Sequence, residues 1–338
     1  MRLLGVIVLA SSLVGLAYAP ILGSFLEFEV TFDRCWRFAA QGALLGGFLG
    51  FSQLVLSQTG AARWLRRLPL PLEIAGKGAV STALIALALL LGAVLLFPER
   101  FEGGPVGLSF LRDVLFAFGA MLVLQFVLVV RSVIGGRVLR NLILGRYYRP
   151  VREERIFMFL DIADSTAIAE RLGDIGTQAM ISHFFFDIAQ VTAEYGGETH
   201  AYIGDEVIVT WPMAEGLRDN ACLRCCLAIE ERMDGLASVY RERFGFVPGY
   251  RIGLHGGPVV ASVCGDDKRE IVYFGDTVNT AARIEQYCKE VDRKLMVSAG
   301  LYDQLATMSA VAAEPVGPVR LRGRAEDTAL YAIERRAQ

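Results

Sequence analysis

Charge is scarce in the first 130 residues of this 338-residue chain: 16 charged side chains stand there, against 54 in the other 208. That excludes an ordinary soluble domain for the first part, because such domains are about one-quarter charged. Four stretches carry no charge at all: 3–26, 38–62, 78–98 and 114–130. Net charge is also small, −2 overall, which argues against the basic surface a nucleic-acid partner needs. A disulfide framework is missing too. Six cysteines are few for this length, and five of them (Cys222, Cys225, Cys226, Cys264, Cys288) fall in the polar part. The Cys222-x-x-Cys225-Cys226 group has no matching Cys/His pair at zinc spacing. It lies in a helical apolar pattern and reads as small residues on a buried helix face. No low-complexity tract and no internal repeat is present.

What is present divides near residue 131. A bilayer core of ~30 Å needs ~20 helical residues. The first three uncharged stretches meet that length, and the fourth reaches it by extending past Arg112 and Asp113. The expectation for 1–130 is an all-α transmembrane bundle of four helices, at about 3–23, 38–58, 78–98 and 113–134. Residues 1–19 also resemble a signal peptide ending in Ala17-Tyr18-Ala19, but Pro20 hinders cleavage there, so an uncleaved first helix is expected. Arg63, Arg66, Arg67 and Lys77 mark one loop as cytoplasmic, and Arg131, Arg137, Arg140, Arg146 and Arg149 mark the segment after the last span likewise. The chain is thus expected to pass several times through the inner (plasma) membrane, with lipid around 1–130. Residues 131–152 form a basic linker, helical in pattern until Pro150, and everything beyond lies in the cytoplasm.

From Arg155 onward the pattern is that of a folded domain. The apolar run Ile156–Leu160 reads as a buried strand. Asp164-Ser165-Thr166 reads as a turn and helix cap, followed by a longer helix over 176–194. Residues 198–203 and 206–211 read as a hairpin around Gly204-Asp205, and 216–243 as a third helix. Two strands at 250–255 and 259–263, a short strand at 271–274 and a helix at 277–288 follow. Further strands are expected at 294–297 and near 319–333. The order predicts an α+β, ferredoxin-like sheet with helices on one face.

Three motifs carry chemistry. Asp161-Ile162-Ala163-Asp164-Ser165-Thr166 puts a hard oxygen ligand at a strand end beside free N–H groups of a helix start, which suits a metal-bound polyphosphate. Gly204-Asp205-Glu206 at a hairpin tip brings a second carboxylate to the same spot if the strands are neighbours, the pattern of a two-metal site. Thr277-Val278-Asn279-Thr280-Ala281-Ala282-Arg283 sets an amide and a guanidinium four residues apart on one helix face. Taken singly, each also fits a plainer role: a helix cap, a hairpin turn, an arginine on a solvated face.

Together and in this order, the motifs resemble the class III nucleotidyl cyclases over residues 153–335. The resemblance implies that Asp161 and Asp205, with the carbonyl of Ile162, hold two Mg²⁺ or Mn²⁺ ions per site. It implies that Ala163, Asp164, Ser165 and Thr166 border the triphosphate, with Arg322 or Arg324 where the family places a basic triphosphate contact. Asn279 would orient the ribose, and Arg283 would offset charge at the α-phosphate. Metal carboxylates and the Asn/Arg pair come from different subunits in this family. One chain with both sets implies a homodimer with two composite sites, making cyclic nucleotide and pyrophosphate from ATP or GTP.

Two positions depart from the family. Adenylyl cyclases carry Lys three residues before the hairpin Gly and Asp seven before the Asn; here these are Ala201 and Val272. The guanylyl pair, Glu and Cys, is absent as well. Apolar side chains cannot read a base edge by hydrogen bonding, so the base pocket is the open point. Adenylyl cyclase is the leading expectation; guanylyl or mixed specificity and a catalytically silent receptor domain are the alternatives. Asp164 adds a carboxylate where the family has Gly.

Overall fold

The structure is a computed structural model. It describes residues 31–58, 68–96, 144–266, 269–321 and 327–336, with scattered positions in 9–16 and 114–141. The chain divides into two compact units, Met1–Ile134 and Gly135–Gln338.

In the first unit, α1 (Phe32–Gln58) and α2 (Leu70–Leu96) are described. Among the described residues, one helix, Pro71–Leu96, is long and apolar enough to cross a membrane, and Met121–Val130 is a shorter apolar helix. The expected span 78–98 falls largely on α2, and 38–58 falls within α1. The expected span 3–23 lies largely outside the described residues, while 113–134 is described in part and contains the shorter apolar helix Met121–Val130. Buried positions mix small or polar residues with Ile85 and Ala88. Leu87, Leu90, Val94 and Leu95 are exposed, while Ser52, Ser81, Thr82 and Gln125 are buried. The buried polar groups are partnered: Thr82 Oγ1 donates to the Gly78 carbonyl one turn back at 2.8 Å, and Gln125 Nε2 reaches Ser81 Oγ on α2 at 3.5 Å.

The second unit is built on one sheet. Its elements are β1 (Val151–Ile162), α3 (Ser165–Glu194), β2 (Glu198–Ile203), β3 (Glu206–Pro212), α4 (Met213–Leu217), α5 (Ala221–Gly235) and α6 (Ala237–Phe244). Then come β4 (Tyr250–Cys264), β5 (Glu270–Phe274), α7 (Asp276–Glu290), β6 (Leu295–Ser298), α8 (Ala299–Tyr302), β7 (Val311–Val319) and β8 (Thr328–Arg335). Among the described residues the strand order is β2-β3-β1-β4-β6-β8-β7, with β5 paired to β4. The run β2-β3-β1-β4 is the ferredoxin-like order, joined through α3 and α5.

Both faces of the central strands are covered, which corrects the expectation of helices on one face. Ile156, Met158 and Leu160 pack with Met180, Phe184 and Cys226 of α3 and α5. Phe157 and Phe159 point the other way and pack with Ala281 of α7. The unbroken apolar run Ile156–Leu160 was the signal: a strand buried on both faces does not alternate. Cys222, Cys225 and Cys226 are buried on α5, and burial pushes the first two thiols up to about 12.

Three local readings differ from expectation. The strands 250–255 and 259–263 are one strand, because Gly256 and Gly257 clear space for neighbours instead of turning the chain. A Cβ on Gly257 would lie 2.8 Å from Thr277 Oγ1. The helix expected over 216–243 is broken twice, at Leu236 between α5 and α6 and at Asp219 and Asn220, which take positive φ. Asn220 is pinned there by a two-way amide pair with the backbone of Ala306, both bonds 2.8 Å. Asp164 occupies the N-cap position of α3 but makes no cap bond, since its own backbone is left-handed at φ 56°.

The linker end is gripped by the β4–β5 hairpin. Val263 N–H donates to the Tyr147 carbonyl at 2.9 Å, and Arg269 donates to the Tyr148 hydroxyl at 3.1 Å. Tyr147 is itself buried and its hydroxyl donates to Glu153, which also pairs with the buried Arg155.

Candidate active site

Asp161 lies at the carboxyl end of β1, where the sheet registers it between Glu206 of β3 and Arg251 of β4. Directly opposed residues share a sheet face, so these three side chains form one row on the side that α7 covers. The hairpin tip is tied to the same place: Ile162 N–H donates to the Asp205 carbonyl at 3.3 Å. Gly204 takes φ 64° in that turn, a conformation glycine adopts without steric cost. Ala163 N–H donates to the Gly249 carbonyl at 2.9 Å and fixes the start of the next loop.

The electrostatics are those of crowded carboxylates. Burial, then the charge of Asp205, pushes Asp161 up to about 6, against the pull of Arg251 and Lys289. Glu206 rises to about 7 through burial and then the charges of Asp161 and Asp205. Glu285 on α7 also rises to about 7, first by burial and then by Asp161 and Glu206. These acids share one field that favours bound positive charge.

An open cleft of about 370 Å³ begins at Asp161. Asp161, Ile162 and Asp164 line it from β1 and its loop, Ser165, Thr166 and Ala167 from the first turn of α3, and Arg251 and Lys289 from β4 and α7. The expected phosphate-loop residues Asp164, Ser165 and Thr166 are therefore gathered here with Asp161 and Ile162. Asp164 neither points away nor caps its helix: it lines the cleft.

Asn279 and Arg283 are not in the cleft lining, and neither are Ala163 and Asp205, although Asp205 is tied to the β1 end through its carbonyl. The buried face of α7 is Thr277, Thr280, Ala281, Ile284, Glu285 and Cys288. Asn279 is exposed and Arg283 partly so, one turn apart on another face. Lys289 reaches the cleft from the far end of the same helix, so Asn279 is ~15 Å from it along the axis at 1.5 Å per residue. Arg322 and Arg324 lie outside the described residues. Ala201 packs with Phe157, Phe159 and Ile208, near Val278 and Ala282 of α7. Val272 pairs with Ser262 on β4. Their neighbours His200 and Tyr273 meet with ring centroids 5.1 Å apart, which brings β2 and β5 together. His200 is the extra residue of a bulge between Thr199 and Ala201.

Arg251, Lys289 and Glu285 were not singled out from sequence, and Glu206 was named only as part of the hairpin motif. Arg251 had a signal, a lone charge in an apolar strand; Lys289 had none. Among the described residues, no three His, Cys, Asp or Glu side chains are assembled as a metal cage. Two aspartates and a backbone carbonyl are nevertheless hard oxygen donors of the type Mg²⁺ and Mn²⁺ take, with water and phosphate completing the shell.

The adenylate and guanylate cyclase catalytic domain matches residues 149–335. The chain belongs to this family. Among relatives of the cyclase family, the chain is 41% identical over 208 residues to adenylate cyclase 2 of Rhizobium meliloti (strain 1021), covering 62% of this chain and 57% of that one. It is 32% identical over 187 residues to adenylate cyclase 1 of the same organism, covering 54% of this chain and 28% of that one. The chain thus spans little more than half the length of the first relative and less of the second. A bacterial light-regulated adenylyl cyclase shares the fold, with TM-score 0.54 and 20% identity over 69% of this chain and 66% of that one. Class III cyclase architecture, a mixed sheet with helices, is the fold of the second unit.

Proposed function

We propose that this protein is a membrane-bound adenylyl cyclase that converts ATP to 3′,5′-cyclic AMP and pyrophosphate at two sites shared across a homodimer. The observation that carries the reading is the meeting of Asp161 and Asp205 beside a cleft lined by Arg251 and Lys289. Asp161, Asp205 and the Ile162 carbonyl would hold two Mg²⁺ or Mn²⁺ ions, which supply positive charge to the triphosphate and acidify the ribose 3′-hydroxyl. The first turn of α3 offers N–H groups to phosphate oxygens. Arg251, paired with Asp161 across β1 and β4, places a positive charge beside it. Asn279 from the partner subunit orients the ribose, and Arg283 from the partner subunit neutralises charge as it grows on the α-phosphate. The 3′-oxygen forms its bond to the α-phosphorus, the bond to pyrophosphate breaks, and the hydroxyl proton leaves to water.

Adenine is favoured because the two Rhizobium relatives are both adenylate cyclases. Guanylyl or mixed specificity is the second reading, favoured by the apolar Ala201 and Val272. The test is the purified full chain with ATP or GTP and Mn²⁺, reading product by chromatography. Cyclic AMP is expected as the main product. A folded dimer that makes product from neither nucleotide overturns the enzyme reading.

The membrane reading rests on four uncharged stretches and on the side chains of the first unit, where Leu87, Leu90, Val94 and Leu95 face outward while Ser52, Ser81, Thr82 and Gln125 are buried. It makes the protein multi-pass in the plasma membrane, with 1–130 as membrane domain, 131–152 as the connecting linker and 153–335 as a cytoplasmic catalytic domain. A fluorescent protein fused after Gln338 should fold and fluoresce, while alkaline phosphatase fused there should stay inactive. An active phosphatase fusion overturns the orientation.

A further inference from the structure

Lys289 has no part in the motifs that identify the family, yet it lines the cleft with Asp161 and Arg251. Its position follows from how α7 is seated. A Cβ on Gly253 would lie 2.3 Å from the backbone nitrogen of Glu285, so α7 rests directly on β4 at that point. One turn beyond Glu285, the helix delivers position 289 to the level of Arg251, two residues before Gly253 on the same strand face. The ammonium is not committed elsewhere. Among the described residues neither Lys289 nor Arg251 has an ion pair or a side-chain hydrogen bond. The cleft also holds Asp164 and Glu170 beside Asp161. A polyanion entering among three carboxylates needs cations placed in the cleft itself.

We propose that Lys289 is a triphosphate-binding residue that acts in cis, in the same subunit as Asp161, and holds the outer phosphates of the nucleotide and then pyrophosphate. α7 would then serve both sites of a dimer: Lys289 turns into its own subunit's cleft, and Asn279 with Arg283 serves the partner's. Lysine suits this task as a flexible point charge on an exposed stem, next to Arg251 on the neighbouring strand. The proposal rests on the cyclase reading above and adds a residue and a subunit assignment to it.

The test is Lys289→Ala in the full chain. KM for the nucleotide should rise about tenfold and the inhibition constant for pyrophosphate by a similar factor, with kcat within about threefold, the mark of binding lost equally in ground and transition states. Lys289→Arg should restore both within about twofold. Titration calorimetry with inorganic tripolyphosphate and Mg²⁺ should show the same loss without turnover. Unchanged KM and unchanged tripolyphosphate affinity overturn the proposal. The cis assignment is read in mixed dimers of Asp161→Ala and Asn279→Ala chains, which contain one whole site. Lys289→Ala should raise KM when carried by the Asn279→Ala chain; an equal effect from both placements overturns cis action. Wild-type protein that makes no cyclic nucleotide overturns the cyclase reading instead, and the tripolyphosphate titration still decides on Lys289.

Discussion

Asp161→Ala chains mixed with Arg283→Ala chains should regain cyclase activity that neither parent has. Each single substitution removes a group from every site of its own homodimer. Arg283→Ala withdraws a guanidinium from charge that develops in the transition state, a loss of roughly 10²–10³ in kcat for groups of this kind. Asp161→Ala removes a carboxylate from the row Glu206–Asp161–Arg251 and should cost at least as much. In a mixed dimer one site collects both defects and the other collects none. Random pairing makes half the dimers mixed, so about a quarter of wild-type activity should return. The physical basis is the geometry of α7, whose Asn279 and Arg283 stand off the helix's buried face while Lys289 at its far end lines the subunit's own cleft. Co-expression with two affinity tags, followed by tandem purification and assay, isolates the mixed species. A pure mixed dimer with no activity would show that the sites are not shared.

The catalytic unit was legible because its signals were local. The strand Ile156–Leu160, the Gly204-Asp205 hairpin and the helix from Asp276 all stand where the residues placed them. So does the pairing of the two carboxylate-bearing strand ends, since β1 and β3 are neighbours. What escaped was set by tertiary contact. Gly256-Gly257-Pro258 has the composition of a turn, but position 258 falls between the stretches of β4 bonded to β6 and to β5, where a missing N–H is tolerated. Asp219 and Asn220 break a helix that propensity would continue, because the Asn220 amide finds the backbone of Ala306, 86 residues away. Lys289 reaches the cleft only because a glycine on another element lets its helix sit low. No window of sequence around 289 contains that fact.

Gly253→Ala should therefore be among the most damaging small substitutions in the catalytic unit. The added Cβ would meet the Glu285 nitrogen at 2.3 Å, the Ala281 carbonyl at 2.7 Å and the Glu285 Cα at 2.8 Å. All three are backbone atoms of α7, so no rotamer change relieves the clash, and the helix must lift from the sheet. β4 cannot retreat instead, since Gly253 is held between Phe159 of β1 and Met296 of β6. Overpacking of this kind costs about 3 kcal/mol or more, which for a domain of this size lowers Tm by roughly 6–12 °C. Activity should fall further than stability. Asn279, Arg283 and Lys289 ride on the same helix, and a displacement of 1 Å at a reacting group costs ~10²-fold. Gly300→Ala is the control: its Cβ meets nothing within 4 Å, and the substitution should leave Tm and kcat near wild type. Thermal unfolding and turnover measured on both variants decide the matter. If Gly253→Ala melts and turns over like Gly300→Ala, α7 is not seated on β4 at this glycine, and the delivery of Lys289 to the cleft loses its cause.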